Sequence, residues 1–144
     1  MEHITIAAVQ PHLRAGGTNP VSSAQHVINL MKKASETEDV DLFVLPELCP
    51  LGYSDDTFDM LADQCIASKV IEEIDHLMSD CAKDLSCCIC YGTIGIDSIS
   101  SANKPTIRQK VVDKDGKVMC SYDKIHLCDY GDCVETRYFQ PGHK

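Results

Sequence analysis

Three charged residues stand out in this 144-residue sequence because each directly follows a strand-like run, where sites commonly form in α/β proteins. Glu47 comes straight after Phe43-Val44-Leu45-Pro46, and Lys124 sits in Tyr122-Asp123-Lys124-Ile125-His126-Leu127. Glu135 opens the stretch Glu135-Thr136-Arg137-Tyr138-Phe139-Gln140-Pro141-Gly142. Carboxylates and an ammonium are the residue types of proton transfer and charge stabilisation. Singly, each has an ordinary explanation. A strand-end acid is solvated or caps a turn, a lone lysine is surface charge, and Glu135 has Arg137 within pairing reach in sequence.

Sulfur and imidazole offer a second chemistry. His126, Cys128 and Cys133 form a His-x-Cys-x4-Cys cluster, with His143 as a conceivable fourth ligand. Zinc accepts such donors, but the spacing is irregular and no Cys-x2-Cys knuckle occurs, so no metal is expected. His3, His12, His26 and His76 show no convergent pattern. There are nine cysteines. Cys87, Cys88 and Cys90 lie in a β-like run where alternate side chains share a face. Most of the nine read as small buried apolar groups in a reducing compartment.

The elements that must position these residues alternate. His3 to Gln10 is short, apolar and β-branched, then stopped by Pro11, and reads as a buried first strand. Leu13 to Thr18 carries Gly16-Gly17 and reads as loop. Asn19-Pro20 supplies a cap and a first-turn proline, and Ala24, Val27, Ile28 and Met31 recur at helical spacing, so a helix spans about Pro20 to Ser35. Asp41 to Pro46 is a second buried strand. Glu47 to Asp59 reads as a strand-end loop.

Val70, Ile71, Ile74, Leu77, Met78, Cys81 and Leu85 form the stripe of a second helix, and Ser86 to Ile96 a third strand. Thr106 to Val112 and Lys117 to Tyr122 flank Asp113-Lys114-Asp115-Gly116, a hairpin signal. The tail from Asp123 reads as loop with one irregular turn. The order predicts an α/β domain with a mixed sheet and helices on one face. Strands apolar on both faces imply a cover for the other face, and this sequence does not supply one.

Five pieces together resemble the nitrilase superfamily of carbon–nitrogen hydrolases: IAAVQ at 6–10, FVLPELCPLGY at 43–53, ICYGTI at 89–94, YDKIHL at 122–127 and ETRYFQPG at 135–142. They occur in the family's order and cover essentially the whole chain. The resemblance implies an α-β-β-α sandwich, of which 1–144 would be the N-terminal half of a C-terminally truncated domain. It implies Glu47 as general base, Lys124 as stabiliser of the tetrahedral intermediate, and Glu135 as the second glutamate that positions lysine and substrate. The implied reaction is hydrolysis of a non-peptide carbon–nitrogen bond in a small amide, carbamoyl compound or nitrile, through a cysteine thiolate and without metal or organic cofactor.

In that family the nucleophilic cysteine follows the Pro-Gly piece on a strand of Ile-Cys-Tyr-Asp character. No such strand follows Pro141-Gly142 here. Cys90, in Ile89-Cys90-Tyr91-Gly92, looks locally similar, but it precedes Lys124 and fits the family's earlier strand. The expectation is therefore a chain that is inactive alone. The competing expectation is a non-catalytic relative acting as a binding or assembly partner. Either way, self-association or a partner should cover the open sheet face. Cys49, Cys128 and Cys133 lie in loops around the expected site. The loop from Leu48 to Leu61 should shape its entrance, though Tyr53, Asp55, Asp56 and Phe58 read equally as surface.

Composition narrows the partners. Thirteen basic against 22 acidic residues give a net charge of −9, which disfavours phosphate backbones and anionic lipid. Hydrophobic residues at 44% and charged residues at 24% are ordinary for a globular chain. The longest apolar run, Cys87 to Tyr91, is five residues, far short of a membrane span. With no signal-like segment at Met1-Glu2-His3, the expected location is cytoplasmic.

Overall fold

A computed structural model describes residues 3–12, 19–96, 104–131 and 133–143, the side chain of Cys133 excepted. The predicted loop at 13–18 lies outside them. Three parallel strands begin the sheet: β1 (Ile6–Ala8), β2 (Leu42–Val44) and β3 (Cys88–Gly95). The antiparallel strands β4 (Thr106–Val112) and β5 (Val118–Asp123) complete it, in chain order from β1 to β5. The hairpin between them turns where Asp113 Oδ1 accepts from the backbone of Asp115 and Lys117, and Gly116 takes a φ of 74° that favours glycine.

Helix α1 (Pro20–Ser35) has the predicted bounds, with Asn19 accepting hydrogen bonds from the backbone of Val21 and Ser22. Two helical features went beyond the sequence pattern. Within the predicted loop at 47–59 begins α2 (Asp55–Leu61), capped by Ser54 and anchored by buried Phe58 and Leu61. Two acidic residues in its first turn suit the helix dipole, but seven residues are too few to show a periodicity. Helix α3 (Gln64–Leu85) starts ahead of the Val70 stripe, because Asp63 caps it and Ala67 extends its buried side. Left-handed Ser86 ends it.

Both long helices cover one face of the sheet. Register lines Ala7, Phe43, Ile89 and Val112 across four strands, and they meet Val27, Met31, Ile74 and Met78 from the helices. Phe43, Ile89, Met31, Ile74 and Met78 are fully buried, each worth about 1.5–3 kcal/mol of apolar transfer. Tyr91 also points this way, donating to Asp75 Oδ1 at 2.7 Å, while Lys110 pairs with the same carboxylate.

The opposite face carries Ile6, Leu42, Val44, Cys88, Cys90 and Val111 in register, and none of the six is buried. Ile6 is 61% exposed and Tyr122, at the β5 edge, 60%. This placement also corrects the expectation for the thiols. Cys49, Cys81 and Cys87 are buried, but Cys88, Cys90 and Cys128 are half-buried, and Cys65 and Cys120 are exposed. Cys88 and Cys90 face the open side, and Cys120 sits on the edge strand. The tail is more ordered than a loop: β6 (Asp129–Tyr130) pairs with β7 (Cys133–Val134), and a 3-10 turn follows at Glu135–Arg137. No helix among the described residues is long and apolar enough to cross a membrane.

Candidate active site

Glu47 owes its position to a detour in the backbone. Leu45 N–H still bonds Cys90 O at 2.8 Å, so β2 and β3 are paired up to that point. The chain then leaves the sheet, turns through Pro46–Cys49 and returns to bridge Pro50 with Gly92. Leu48 completes the detour at a φ of 56°, an uncommon conformation for a branched side chain. The turn rests directly on β3. A Cβ at Gly92 would collide with the backbone nitrogen of Leu48, so glycine is required there. The excursion throws Glu47 outward, leaving its side chain 44% exposed.

Lys124 is fixed from both sides of its backbone. Its N–H donates to Ile107 O at 2.8 Å, and its carbonyl accepts from Gly142 N–H at 2.8 Å. The preceding Asp123 receives a two-pronged bond from Arg108, at 2.6 and 2.9 Å. Those Arg108 hydrogen bonds hold the Asp123 carboxyl below the usual carboxylate range, against the opposing effect of burial. Gly142 crosses so closely that a Cβ would stand 2.5 Å from Asp123 Cβ, which explains the glycine of the Pro-Gly piece.

Glu135 is clasped by the segment that precedes it. Its N–H donates to Cys128 O at 3.0 Å, and Cys128 N–H donates back to Glu135 Oε2 at 2.7 Å. Oε1 accepts from Lys124 Nζ at 2.9 Å and from Tyr53 Oη at 3.0 Å. The side chain is only 3% exposed. Burial alone would favour the neutral acid, but the Cys128, Lys124 and Tyr53 hydrogen bonds outweigh it and leave the carboxyl below its ordinary value. Arg137 is not its partner; the guanidinium lies 5.5 Å from the centre of the Tyr138 ring instead.

The three sequence-predicted residues therefore converge. Lys124 Nζ stands 3.0 Å from Glu47 Oε1 and 2.9 Å from Glu135 Oε1. Partial burial opposes its charge, yet the two carboxylates prevail and raise its pKa above the lysine norm. The two glutamates are not equivalent. Glu135 is buried and held by three donors, a fixed negative charge. Among the described residues Glu47 takes only the Lys124 bond, so one of its oxygens is free to handle a proton.

The Cys49 thiol, in the turn that carries Glu47, is a poor nucleophile as it stands. Burial pushes the Cys49 thiol up to about 12. Cys90 lies on the open sheet face with Gln109 Nε2 at 3.3 Å from its sulfur. Among the described residues no three His, Cys, Asp or Glu side chains gather as a metal site, and the Cys133 side chain of the His-x-Cys-x4-Cys alternative lies outside them. Two contacts of Glu135 go beyond the sequence reading: Tyr53, weighed there as entrance wall or surface, bonds Oε1, and the Cys128 amide, which no side-chain pattern encodes, bonds Oε2.

A mixed sheet with helices on one face, with Glu47, Lys124 and Glu135 gathered beside it, defines an α/β layered class. The chain belongs to the carbon–nitrogen hydrolase family, whose pattern matches residues 5–144. It superposes on the amidase of Nesterenkonia sp. with a TM-score of 0.78 at 23% identity, over 99% of this chain and 49% of that one. A carbon–nitrogen hydrolase from Helicobacter pylori G27 matches with a TM-score of 0.75 at 21% identity, over 97% and 45%. The sheet and its one helical layer correspond to part of the α-β-β-α sandwich of these structures.

A glutamine-dependent NAD(+) synthetase of Acinetobacter baylyi is 27% identical over 141 residues, 98% of this chain and 23% of that protein. This chain thus spans about half the length of the amidases and under a quarter of the synthetase. The Nesterenkonia amidase is known with alanine in place of a cysteine in complex with butyramide. Another of its variants shows covalent addition of the acetamide moiety of fluoroacetamide at the active-site cysteine.

Proposed function

We propose that the protein supplies the base and the charge-stabilising group for hydrolysis of a non-peptide carbon–nitrogen bond in a small amide, carbamoyl compound or nitrile. The single observation that carries this reading is the Lys124 ammonium held at 2.9 and 3.0 Å between one buried and one half-exposed carboxylate. An ammonium has three N–H bonds, and two go to the glutamates. The third is left for an oxygen that becomes negative. The nucleophile in this proposal is a cysteine outside these 144 residues.

The reaction on an amide runs in two halves. The thiol gives its proton to Glu47 as sulfur bonds to the carbonyl carbon, and the oxygen becomes an oxyanion on Lys124. The oxyanion collapses, the carbon–nitrogen bond breaks, and Glu47-H passes its proton to the departing ammonia. Water, deprotonated by Glu47, then attacks the thioester and releases a carboxylic acid and the thiol. A primary carboxamide is the favoured substrate. Butyramide in the amidase complex is one, and glutamine, on which the synthetase depends, carries another.

Two measurements test this. The 144-residue chain is expected to release no ammonia from butyramide or glutamine; release abolished by Glu47→Gln would overturn the placement of the nucleophile. In the full gene product, a further strand of Ile-Cys-Tyr-Asp character is expected, and Glu47→Gln there should cut ammonia release about 100-fold or more. A gene product without that strand would turn the reading toward the non-catalytic one.

The open apolar face supports that second reading, a binding or assembly partner. Ile6 at 61% and Tyr122 at 60% exposure lie on a sheet whose other face is packed. A surface of this kind is covered by a second sheet, by another copy or by a different chain. Sedimentation of the chain alone is expected to show self-association; a stable monomer that binds no hydrophobic dye would contradict a missing cover.

A further inference from the structure

The oxygen of Glu135 that holds Lys124 has a second tenant. Tyr53 Oη lies 3.0 Å from Oε1, and Lys124 Nζ lies 2.9 Å from the same atom. Cys128 N–H takes Oε2 at 2.7 Å. A carboxylate oxygen has two good acceptor directions, so Tyr53 and Lys124 between them fill Oε1. With three donors on a side chain that is 3% exposed, the carboxylate plane has no freedom to rotate.

The tyrosine is itself held by construction rather than by chance. Gly52 precedes it at a φ of 96°, a conformation that favours glycine, and donates its N–H to Leu48 O at 2.9 Å. That turn sends the Tyr53 ring back toward Glu135. The ring meets Phe58 of α2 edge-on, with centroids 5.2 Å apart. Phe58 in turn packs at 5.0 Å against Phe139 and 5.1 Å against Tyr138, which follow Glu135 in the chain. Tyr138 closes the circuit by donating to Asp55 Oδ1 at 3.1 Å. The segment carrying Tyr53 and the turn carrying Glu135 are thus locked together by rings on one side and by a hydroxyl on the other.

We propose that Tyr53 is a positioning residue for Lys124: by donating to Glu135 Oε1 it fixes the atom on which the ammonium rests, so that Nζ is aimed at Glu47 and at the substrate. This rests on the catalytic reading of Lys124 given above. The role needs the hydroxyl and not merely the ring. A phenyl ring would keep the stacking on Phe58 and lose the bond to Glu135. The carboxylate would then pivot about its Cys128 and Lys124 contacts, and Nζ would follow it.

The test uses the 144-residue chain labelled with 13C at glutamate carboxyls and 15N at lysine ammonium groups, read by NMR. Tyr53→Phe is expected to move the Glu135 carboxyl titration up by about one pH unit, since the ionised form loses a donor. It is also expected to speed hydrogen exchange of the Lys124 ammonium about tenfold. Glu135→Gln serves as the reference and should speed that exchange at least as much. If Glu135→Gln leaves the ammonium unchanged, the Lys124 cluster itself is wrong. If Glu135→Gln speeds it while Tyr53→Phe alters the Glu135 titration or the Lys124 exchange not at all, the positioning role of Tyr53 is overturned and the cluster stands. A Glu135 shift without a Lys124 effect overturns it as well. Tyr53→Trp, which keeps an aromatic ring on Phe58, should fail to restore either signal.

Discussion

Lys124 Nζ and Glu135 Oε1 stand 2.9 Å apart with the glutamate 3% exposed and the lysine 25%. The pair is asymmetric in burial, and the asymmetry decides its energetics. Glu135 has lost its water and relies on protein donors, whereas Lys124 keeps a wet side and a second acid, Glu47. Breaking the pair leaves a buried donor set rather than a fully buried charge. The penalty should therefore fall below the 3–5 kcal/mol typical of severed buried pairs.

Glu135→Gln is expected to cost about 2 kcal/mol at neutral pH, read from the urea midpoint at constant slope. The pH dependence of that cost follows from two opposite shifts. The folded Glu135 carboxyl is depressed, so its contribution is present above the ordinary glutamate value, about 4.3, and fades as pH falls through the lower folded one. The folded Lys124 pKa is raised, so its contribution is present below about 10.4 and fades as pH rises through the higher folded one. Wild type and Glu135→Gln should differ by a constant amount across that interval and converge on both sides. A difference that already vanishes near pH 7 would contradict the pairing.

Gly92→Ala tests the backbone detour that carries Glu47. Its added methyl would meet the Leu48 nitrogen, a backbone atom that cannot swing aside as a side chain would. Overpacking of this kind costs about 1–3 kcal/mol, and relief requires the Pro46–Cys49 turn to lift from β3. The lift should also separate Glu47 from Lys124. Loss of stability together with a Lys124 ammonium that exchanges faster is the expected outcome. An alanine variant as stable as wild type would mean that the turn does not rest on this glycine.

The sequence made the scaffold legible wherever a long periodic pattern or strong punctuation existed. The helix from Pro20 to Ser35 was marked by Asn19, Pro20 and four apolar positions, and the hairpin by Asp113 to Gly116. Glu47, Lys124 and Glu135 were legible only in combination, since no single spacing links residues that the fold gathers from three strand ends. The short helix at Asp55–Leu61 was hidden because its information lies in one cap and two buried side chains. Tyr53 was hidden for a different reason. At 41% exposure it has the burial of a surface residue, and its hydroxyl bond to Glu135 appears only in the fold. The exposed cysteines mark the limit of reading composition as burial. Cys120 lies in a strand pattern, but on an edge with no neighbouring strand beyond it among the described residues.

Asp123→Asn should expose how much of the Lys124 position depends on its neighbour. Arg108 and Asp123 are 13% and 16% exposed and joined by two short bonds, a geometry of the strong, bidentate kind. Removing one partner from so dry a pair is expected to cost about 3 kcal/mol. Because Arg108 depresses the Asp123 carboxyl, the contribution is present above the ordinary aspartate value, about 3.9, and is lost as pH falls through the lower folded value. Guanidinium unfolding at pH 7 should separate variant from wild type clearly, and acid titration should bring them together only well below pH 4. Equal midpoints at pH 7 would show that the ion pair is not maintained.

Thiol reactivity offers a map of the same surface without any substitution. Burial pushes Cys49 up to about 12 and Cys81 and Cys87 to about 11, so at pH 8 hardly any thiolate exists at these sites and reagent cannot reach them. Cys65 and Cys120 are exposed and should be alkylated first, within the time an unstructured cysteine peptide takes. Cys88 and Cys90 face the open side of the sheet at intermediate depth. Their rate carries the information about the cover. In a dissociated chain they should react soon after the exposed pair, and in a self-associated or partner-bound chain they should be protected while Cys65, on the far side of the helical layer, is not. Labelling followed by peptide mass mapping at several protein concentrations reads both outcomes. Concentration-independent reactivity of Cys88 and Cys90 would rule out a second copy as the cover, and fast labelling of Cys49 would contradict the buried turn beneath Glu47.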